Sequence, residues 1–304
     1  MTGTPFPLPG TGEVVTIATA PGAGPGYWAG APGVAAHPDG GFVVAYRVRN
    51  GHDGVDENVI ALAPDGVTLT EVSRFPATRF EGGRWVERPA IVELPDGSWR
   101  LYVCVGGPAS KMWWVEMIDA RSLDELATAP STRTLELDDL HAVKDPIVTH
   151  VGGDVPGEGV WHAWPTIHLL DEPGDEDRMN SAYATSVDGL EWTWHGTVLE
   201  GRAGEWDARG ARLTSILPDG RAAYDGRASA AENWFEKSGI AVPDDDGIRF
   251  NGTGGPIADL RYLTVMPLDD GGYRLWYEAR LDDESHELRT ELISPSPPAA
   301  AESP

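Results

Sequence analysis

The sequence predicts an all-β protein, a five-bladed β-propeller, from three observations. First, a phrase recurs roughly every 50 to 65 residues, at Ala31–Tyr46, Arg88–Val105, Asp145–Trp164, Arg209–Asp225 and Arg261–Tyr277. In each, a short apolar strand enters a turn, usually Pro/Asp/Gly, and returns as a strand with aromatic residues. Repeats of this period mark propellers or solenoids. Second, no amphipathic segment of helical period stands out, which argues against α/β folds whose crossovers need helices. Third, each unit has room for about four short strands, which favours blades over a β-sandwich.

Taken in order, residues 1–26 are rich in Gly and Pro around one alternating stretch, Val14–Thr19, read as an edge strand that closes the ring. Residues 27–293 are expected to form the propeller domain. Phe42–Arg47 alternates, Asn58–Leu62 is its neighbour, and Pro64-Asp65-Gly66 is a turn. Ile91–Leu94, Pro95-Asp96-Gly97 and Trp99–Val105 make a hairpin, followed by a strand at Trp113–Ile118 and a short helical turn at Ser122–Ala127. Ile147–His150 and Val160–Trp164 flank a Gly-rich insertion. Ser181–Ser186, Asp188-Gly189 and Trp192–His195 complete that unit. Leu213–Leu217 and Ala222–Asp225 form the fourth hairpin. Tyr262–Met266 and Tyr273–Ala279 form the fifth, with Glu287–Ile293 as an outer strand. The tail, 294–304, reads SPSPPAAAESP and is expected to be disordered.

The formal net charge of −25 argues against a nucleic-acid ligand or an anionic membrane surface. The sole cysteine, Cys104, lies in an apolar run and reads as a buried, inert thiol; one cysteine permits no intramolecular disulfide. No basic region followed by an apolar stretch opens the chain, and no run of 18 apolar residues exists, so a cytoplasmic location is expected. Twelve Trp residues suit core packing or a sugar-binding cleft.

Ring closure would gather the residues that open each unit: Ala31-Pro32, Glu87-Arg88-Pro89, Lys144-Asp145-Pro146, Asp207-Ala208-Arg209 and Asp259-Leu260-Arg261. The returning strands end at the same mouth, with Arg47 and Arg49, His162 and Trp164, Asp225 and Arg227, and Glu278 and Arg280. Carboxylates, arginines and aromatics at one mouth suit glycoside chemistry. One carboxylic acid protonates the leaving oxygen and a second carboxylate activates water or attacks the anomeric carbon. A third can raise the acid's pKa. Arginines orient carboxylates or bind hydroxyls. The alternative reading is that these charges are salt bridges pinning neighbouring blades.

These residues resemble the five-bladed β-propeller glycosidases of the furanosidase type: arabinanases, xylosidases and fructosidases. The best match is Lys144-Asp145-Pro146-Ile147-Val148. The resemblance implies that Asp145 is the carboxylate that tunes the acid, and that Asp207 stands where the family has its general acid, a glutamate. The family's base aspartate is missing from Ala29-Gly30-Ala31-Pro32; Asp53, Asp56 or Glu87 could substitute. Related phosphorylases acting on mannosides have a similar fold and an arginine-rich phosphate site.

The leading expectation is a glycoside hydrolase acting on a small glycoside or a glycan end, furanosides first. Asp207 would be its acid, Glu87 or Asp53 its base or nucleophile, and Asp145 its tuning group. Arg47, Arg49, Arg88, Trp164, Arg209, Arg212, Asp225, Arg227 and Glu278 would contact substrate. Two alternatives stand beside it: a carbohydrate-binding propeller without chemistry, and a glycoside phosphorylase or lyase that uses Arg47, Arg49, Arg88, Arg209 and Arg212 around an anionic group. No cofactor is implied. His141, His150, His162 and His168 match no zinc spacing, although a structural cation could sit in the central channel. The oligomeric state is not read from the sequence.

Overall fold

The computed structural model describes residues 6–108, 112–152 and 158–295. The first five residues, most of the Gly-rich insertion and residues 296–304 of the tail lie outside the described residues. The described chain is almost entirely strand and turn. Its first stretch holds β1 (Glu13–Ala18), β2 (Tyr27–Ala36), β3 (Phe42–Asn50), β4 (Glu57–Ala63) and β5 (Thr70–Pro76). Next come β6 (Trp85–Val86), β7 (Ala90–Glu93), β8 (Trp99–Gly106), β9 (Trp113–Ala120) and β10 (Ser131–Thr134). They are followed by β11 (His141–Val151), β12 (Val160–Leu169), β13 (Met179–Ser186) and β14 (Thr193–Leu199). The fourth stretch holds β15 (Gly210–Ile216), β16 (Ala222–Arg227), β17 (Lys237–Pro243) and β18 (Phe250–Ala258), and the fifth β19 (Arg261–Pro267), β20 (Tyr273–Arg280) and β21 (His286–Ile293). Three single-turn 3-10 helices interrupt them, one at Glu125–Ala127 inside the stretch read as a helical turn.

The hairpins follow from their turn chemistry. In Pro95-Asp96-Gly97 the glycine adopts φ +81°, its N–H donates to the Leu94 carbonyl at 2.9 Å, and Asp96 accepts from the Ser98 N–H and hydroxyl. The strands bury nearly continuous apolar runs. β8, WRLYVCVG, is buried throughout, because sheets cover both of its faces. Facing sheets enclose separate apolar clusters. One joins Val43, Ile60 and Phe75 to Leu101, Val103 and Ile118. Another joins Tyr102 and Val115 to Trp161, Ala163 and Ile167. Cys104 is buried among these strands, as its apolar context suggests.

The strand pairing corrects the five-bladed propeller. The described strands form three mixed sheets, ordered β19-β20-β21-β2-β3-β4-β5 with β1 on β21, β10-β9-β8-β6 with β7 on β8, and β11-β12-β13-β15-β16-β17-β18 with β14 on β13. None is closed or curled as a blade would be. Two parallel bridges cause the merging: Trp28 pairs with His286 between β2 and β21, and Met179 with Gly210 between β13 and β15. They splice antiparallel units that the repeat period had suggested were separate. Among the described residues no helix is long and apolar enough to cross a membrane.

Candidate functional site

The first strands of the units carry the site because they are irregular. The ladders of β2, β11, β15 and β19 shift register at Gly30/Gly33, Lys144/Ile147, Leu213/Ser215 and Arg261/Thr264. Bulges re-aim side chains away from the regular alternation. At three of them a non-glycine residue takes a left-handed backbone: Ala31 at φ +51°, Asp145 at +48° and Tyr262 at +57°. Such residues are strained, and strain of this kind concentrates at functional sites.

Asp145 and Tyr262 meet. Arg212 Nη1 donates to Asp145 Oδ2 at 3.1 Å and to the Tyr262 hydroxyl at 2.9 Å. That hydroxyl lies 3.1 Å from Glu87 Oε2 and 3.3 Å from Asp145 Oδ2, so it bridges the two carboxylates. Arg47 links Glu87 to Glu278, and Arg261 links Glu278 to Glu236. Arg227 holds the other oxygen of Glu236. Arg212 Nη2 reaches Asp225 at 2.8 Å. The outcome is one continuous buried lattice of alternating arginines and carboxylates.

A cleft of about 330 Å³ opens onto this lattice. Arg49, Lys144, Arg212, Arg227 and Arg261 line it, with Glu87 and Glu236 the carboxylates on its surface. Asp145, Asp225 and Glu278 lie behind, fully or almost fully buried. Trp85, Trp113 and Trp234 wall it, joined by His52, His168 and Asn233. Trp234 also has a left-handed backbone, φ +77°, and packs edge-on to Trp28 at 5.2 Å. Lys144 Nζ lies 4.3 Å from the Trp113 ring centre, a cation–π contact.

Burial alone would raise the pKa of Glu87, but Arg47, Lys144, Arg49 and Arg261 outweigh it and hold the carboxyl well below its usual range. Glu236 is governed in the same way by Arg261, Arg227 and Arg212, and Glu278 by Arg261, Arg47 and His286. Both carboxylates on the cleft surface are therefore ionised at neutral pH. Burial shifts Asp225 and Asp56 upward against their arginine partners. Tyr262, buried and beside two carboxylates, is raised well above the usual phenol value despite Arg212, so it keeps its proton.

The structure brings together much of the set read from the sequence. Glu87, Asp145, Arg47, Arg49, Arg212, Asp225, Arg227 and Glu278 all join the lattice. Glu278 packs directly against the first unit's strand: a Cβ on Gly30 would lie 2.3 Å from Glu278 Oε2. Asp207 lies elsewhere. It is buried against Arg202 Nε at 2.9 Å and the Tyr224 hydroxyl at 2.6 Å, on the face of β16 opposite Asp225. Asp53 is on an exposed loop, and Arg209 pairs with Asp175 and Asp177. Trp164 stacks on Tyr183, with ring centres 5.3 Å apart, and does not line the cleft.

Arg88 occupies the centre where the strand starts converge. It donates to the carbonyls of Pro32 and Thr214 and to the Thr264 hydroxyl, at 2.8 to 3.0 Å. Burial pushes its pKa down to about 10. These neutral oxygens hold the buried guanidinium between β2, β15 and β19. Among the described residues no group of three or more His, Cys, Asp or Glu is placed to hold a metal ion.

Sequence reasoning missed Glu236 and Tyr262 as groups of the cleft. Glu236 lies outside the repeated phrases, two residues beyond Trp234. Tyr262 reads as an ordinary apolar strand residue until the bulge turns it.

No family model and no curated protein matches the chain. Solved structures do match over nearly its full length. One belongs to the GH130 family of mannoside phosphorylases, which contains glycoside hydrolases that target beta-1,2 mannosidic linkages in Candida mannan; it is 16% identical, covers 98% of each chain and has a TM-score of 0.59. A glycosyl hydrolase from Bacteroides ovatus is 15% identical over 97% of this chain and 95% of its own, TM-score 0.59. A beta-1,2-mannobiose phosphorylase from Listeria innocua, in complex with beta-1,2-mannobiose, is 14% identical over 95% and 93%, TM-score 0.59. The chain thus shares the fold of glycoside hydrolases and phosphorylases.

Proposed function

We propose that this chain is a carbohydrate-active enzyme that cleaves a glycosidic bond with inorganic phosphate, a glycoside phosphorylase. The observation that carries this reading is the charge of the cleft. In a protein of net charge −25, five cationic side chains line it against two carboxylates. A hydrolase needs one carboxyl that holds a proton and a second that activates water or attacks. Glu87 and Glu236 are both ionised and each is held by two arginines. That suits them to stabilising positive charge on the anomeric carbon, with the nucleophile brought in as an anion.

In this mechanism Arg49, Lys144 and Arg227 hold hydrogen phosphate. A phosphate oxygen forms the new bond to the anomeric carbon as the bond to the leaving oxygen breaks. The proton carried by hydrogen phosphate ends on that oxygen, relayed through the Tyr262 hydroxyl, while Arg212 steadies the phenol oxygen and Asp145 orients it. Bond counts and charge balance: the products are a glycosyl phosphate and a free hydroxyl. The furanoside hydrolase with Asp207 as acid is the weaker reading, because Asp207 lies away from the cleft.

The test is incubation with beta-1,2-mannobiose and a furanoside panel, with and without phosphate, read by phosphorus NMR and by free reducing sugar. Glycosyl phosphate that depends on added phosphate is expected. Equal release of free sugar in both conditions identifies a hydrolase instead. Sugar binding with no turnover identifies a binding module.

A further inference from the structure

Trp113 borders two cavities: beside the cleft it lines a second groove, of about 170 Å³, between the end of β10 and the start of β11. Its charge balance is the reverse of the cleft's: Glu136, Asp138 and Asp139 line it against Arg133. Met112 and Leu137, 51% and 39% exposed, are two of the ten exposed large apolar residues among those described, and both line this groove. The carboxylates of Glu136 and Asp139 stand among them. Exposed apolar surface concentrated in this way marks a binding surface rather than scatter.

We infer that this groove is a subsite for a further sugar of the substrate chain, so that the substrate is a neutral oligosaccharide longer than a disaccharide. The shared Trp113 gives the occupant its direction: a chain seated in the cleft and extended past that residue enters the groove. Three carboxylates, Glu136, Asp138 and Asp139, outnumber the one guanidinium, Arg133; they accept hydrogen bonds from hydroxyls and disfavour an acidic sugar, so the residue in the groove is uncharged. Apolar side chains between them suit the C–H faces of a pyranose or furanose ring. The division of charge then orders the substrate along one line, with the anionic reactant over the arginines and the neutral remainder of the glycan over the leucines. This inference rests on the glycan reading of the cleft but not on phosphate as the nucleophile.

The experiment is calorimetric titration of the full chain, without phosphate, with linear beta-1,2-mannosyl, arabinofuranosyl and xylosyl ladders of two to five units. At least one ladder is expected to gain about tenfold in affinity beyond the disaccharide, which is the size of one added subsite contact. Leu137→Ser and Asp139→Ala, both at exposed positions lining the groove, are each expected to remove most of that gain without changing the melting temperature. Affinity independent of length in every ladder that binds, or a gain retained in both variants, overturns the subsite. A mass that doubles with concentration and reverts in Leu137→Ser overturns it in favour of contact between two copies. If disaccharides bind and react with phosphate but length has no effect, the subsite falls alone. If no sugar of any length binds, the functional reading of the cleft falls with it.

Discussion

The molecule builds the same constellation twice and treats the two copies differently. In each, one aspartate oxygen faces an arginine and a tyrosine hydroxyl: Asp145 Oδ2 with Arg212 and Tyr262, and Asp207 Oδ2 with Arg202 and Tyr224. The outer copy is self-contained. Arg202 spends its remaining N–H groups on the carbonyls of Gly252 and Gly254, so the cluster ties β18 to the loop before β15. The inner copy is open. Tyr262 reaches on to Glu87, Arg212 reaches on to Asp225, and both line the cleft. Residue types alone do not separate the two copies; what separates them is whether the network continues into the cationic cleft.

The sharpest way to break this comparison is to neutralise each aspartate. Asp145→Asn is expected to lower kcat/KM by about 10²- to 10³-fold, the usual loss when an electrostatic group of the transition state is removed. Asp207→Asn is expected to leave it within about twofold, since it touches nothing on the cleft. Kinetics on any substrate that turns over, with melting curves on both variants, decide the matter. A larger loss in Asp207→Asn would falsify the division into site and brace.

Stability sharpens the comparison next. Glu278 is fully buried and compensates both Arg47 and Arg261. Glu278→Gln leaves two buried guanidiniums short of charge and is expected to cost about 3–5 kcal/mol, read by denaturant unfolding. The same lattice sets an acid response. Glu87, Glu236 and Glu278 have folded pKa values below the usual value of about 4.5, so their contribution is complete above that pH. It is lost as pH falls further, because the unfolded chain then binds protons that the folded chain refuses. Asp225 and Asp56 are shifted upward and oppose this, because they take up protons more readily when folded. Three glutamates against two aspartates predict a net fall in stability below about pH 4.5, with a shallower slope in Glu278→Gln. A midpoint that does not move with pH in that window removes the ionised lattice from the account.

The repeat period made the antiparallel units legible: Ile91–Leu94 with Trp99–Val105, and Leu213–Leu217 with Ala222–Asp225, pair as read. The same units suggested five separate blades, and that was the error. Period reports what pairs within a unit, whereas the single bridges Trp28–His286 and Met179–Gly210 depend on how unit edges abut, which leaves no periodic trace. β18, the glycine-rich FNGTGGPIA, had no strand signal at all, because its pairing with β17 rather than its side chains makes it a strand. For the site, the charged strand starts pointed to Glu87 and Asp145. Asp207 shared their sequence position, but its side chain packs into its own unit, against Arg202 and the Tyr224 hydroxyl. Residue order gave its neighbourhood, not its direction.

The finest separation comes from the two tyrosines. Tyr224→Phe removes a hydroxyl that donates to Asp207 and receives from Arg202 at 3.3 Å, leaving the ion pair of Asp207 and Arg202 in place. The expected cost is about 1 kcal/mol of stability, the net worth of one hydrogen bond, with turnover unchanged. Tyr262→Phe removes a similar bond and carries a comparable stability cost, so unfolding alone does not distinguish them. Turnover does: Tyr262 holds a hydroxyl proton between Glu87 and Asp145, and its loss is expected to lower kcat while leaving KM near its original value. Two variants matched in stability and divergent in kcat would show that the inner copy differs from the outer by its access to the cleft. If both lose kcat equally, the tyrosines act through the fold, and Tyr262 has no part in moving the proton.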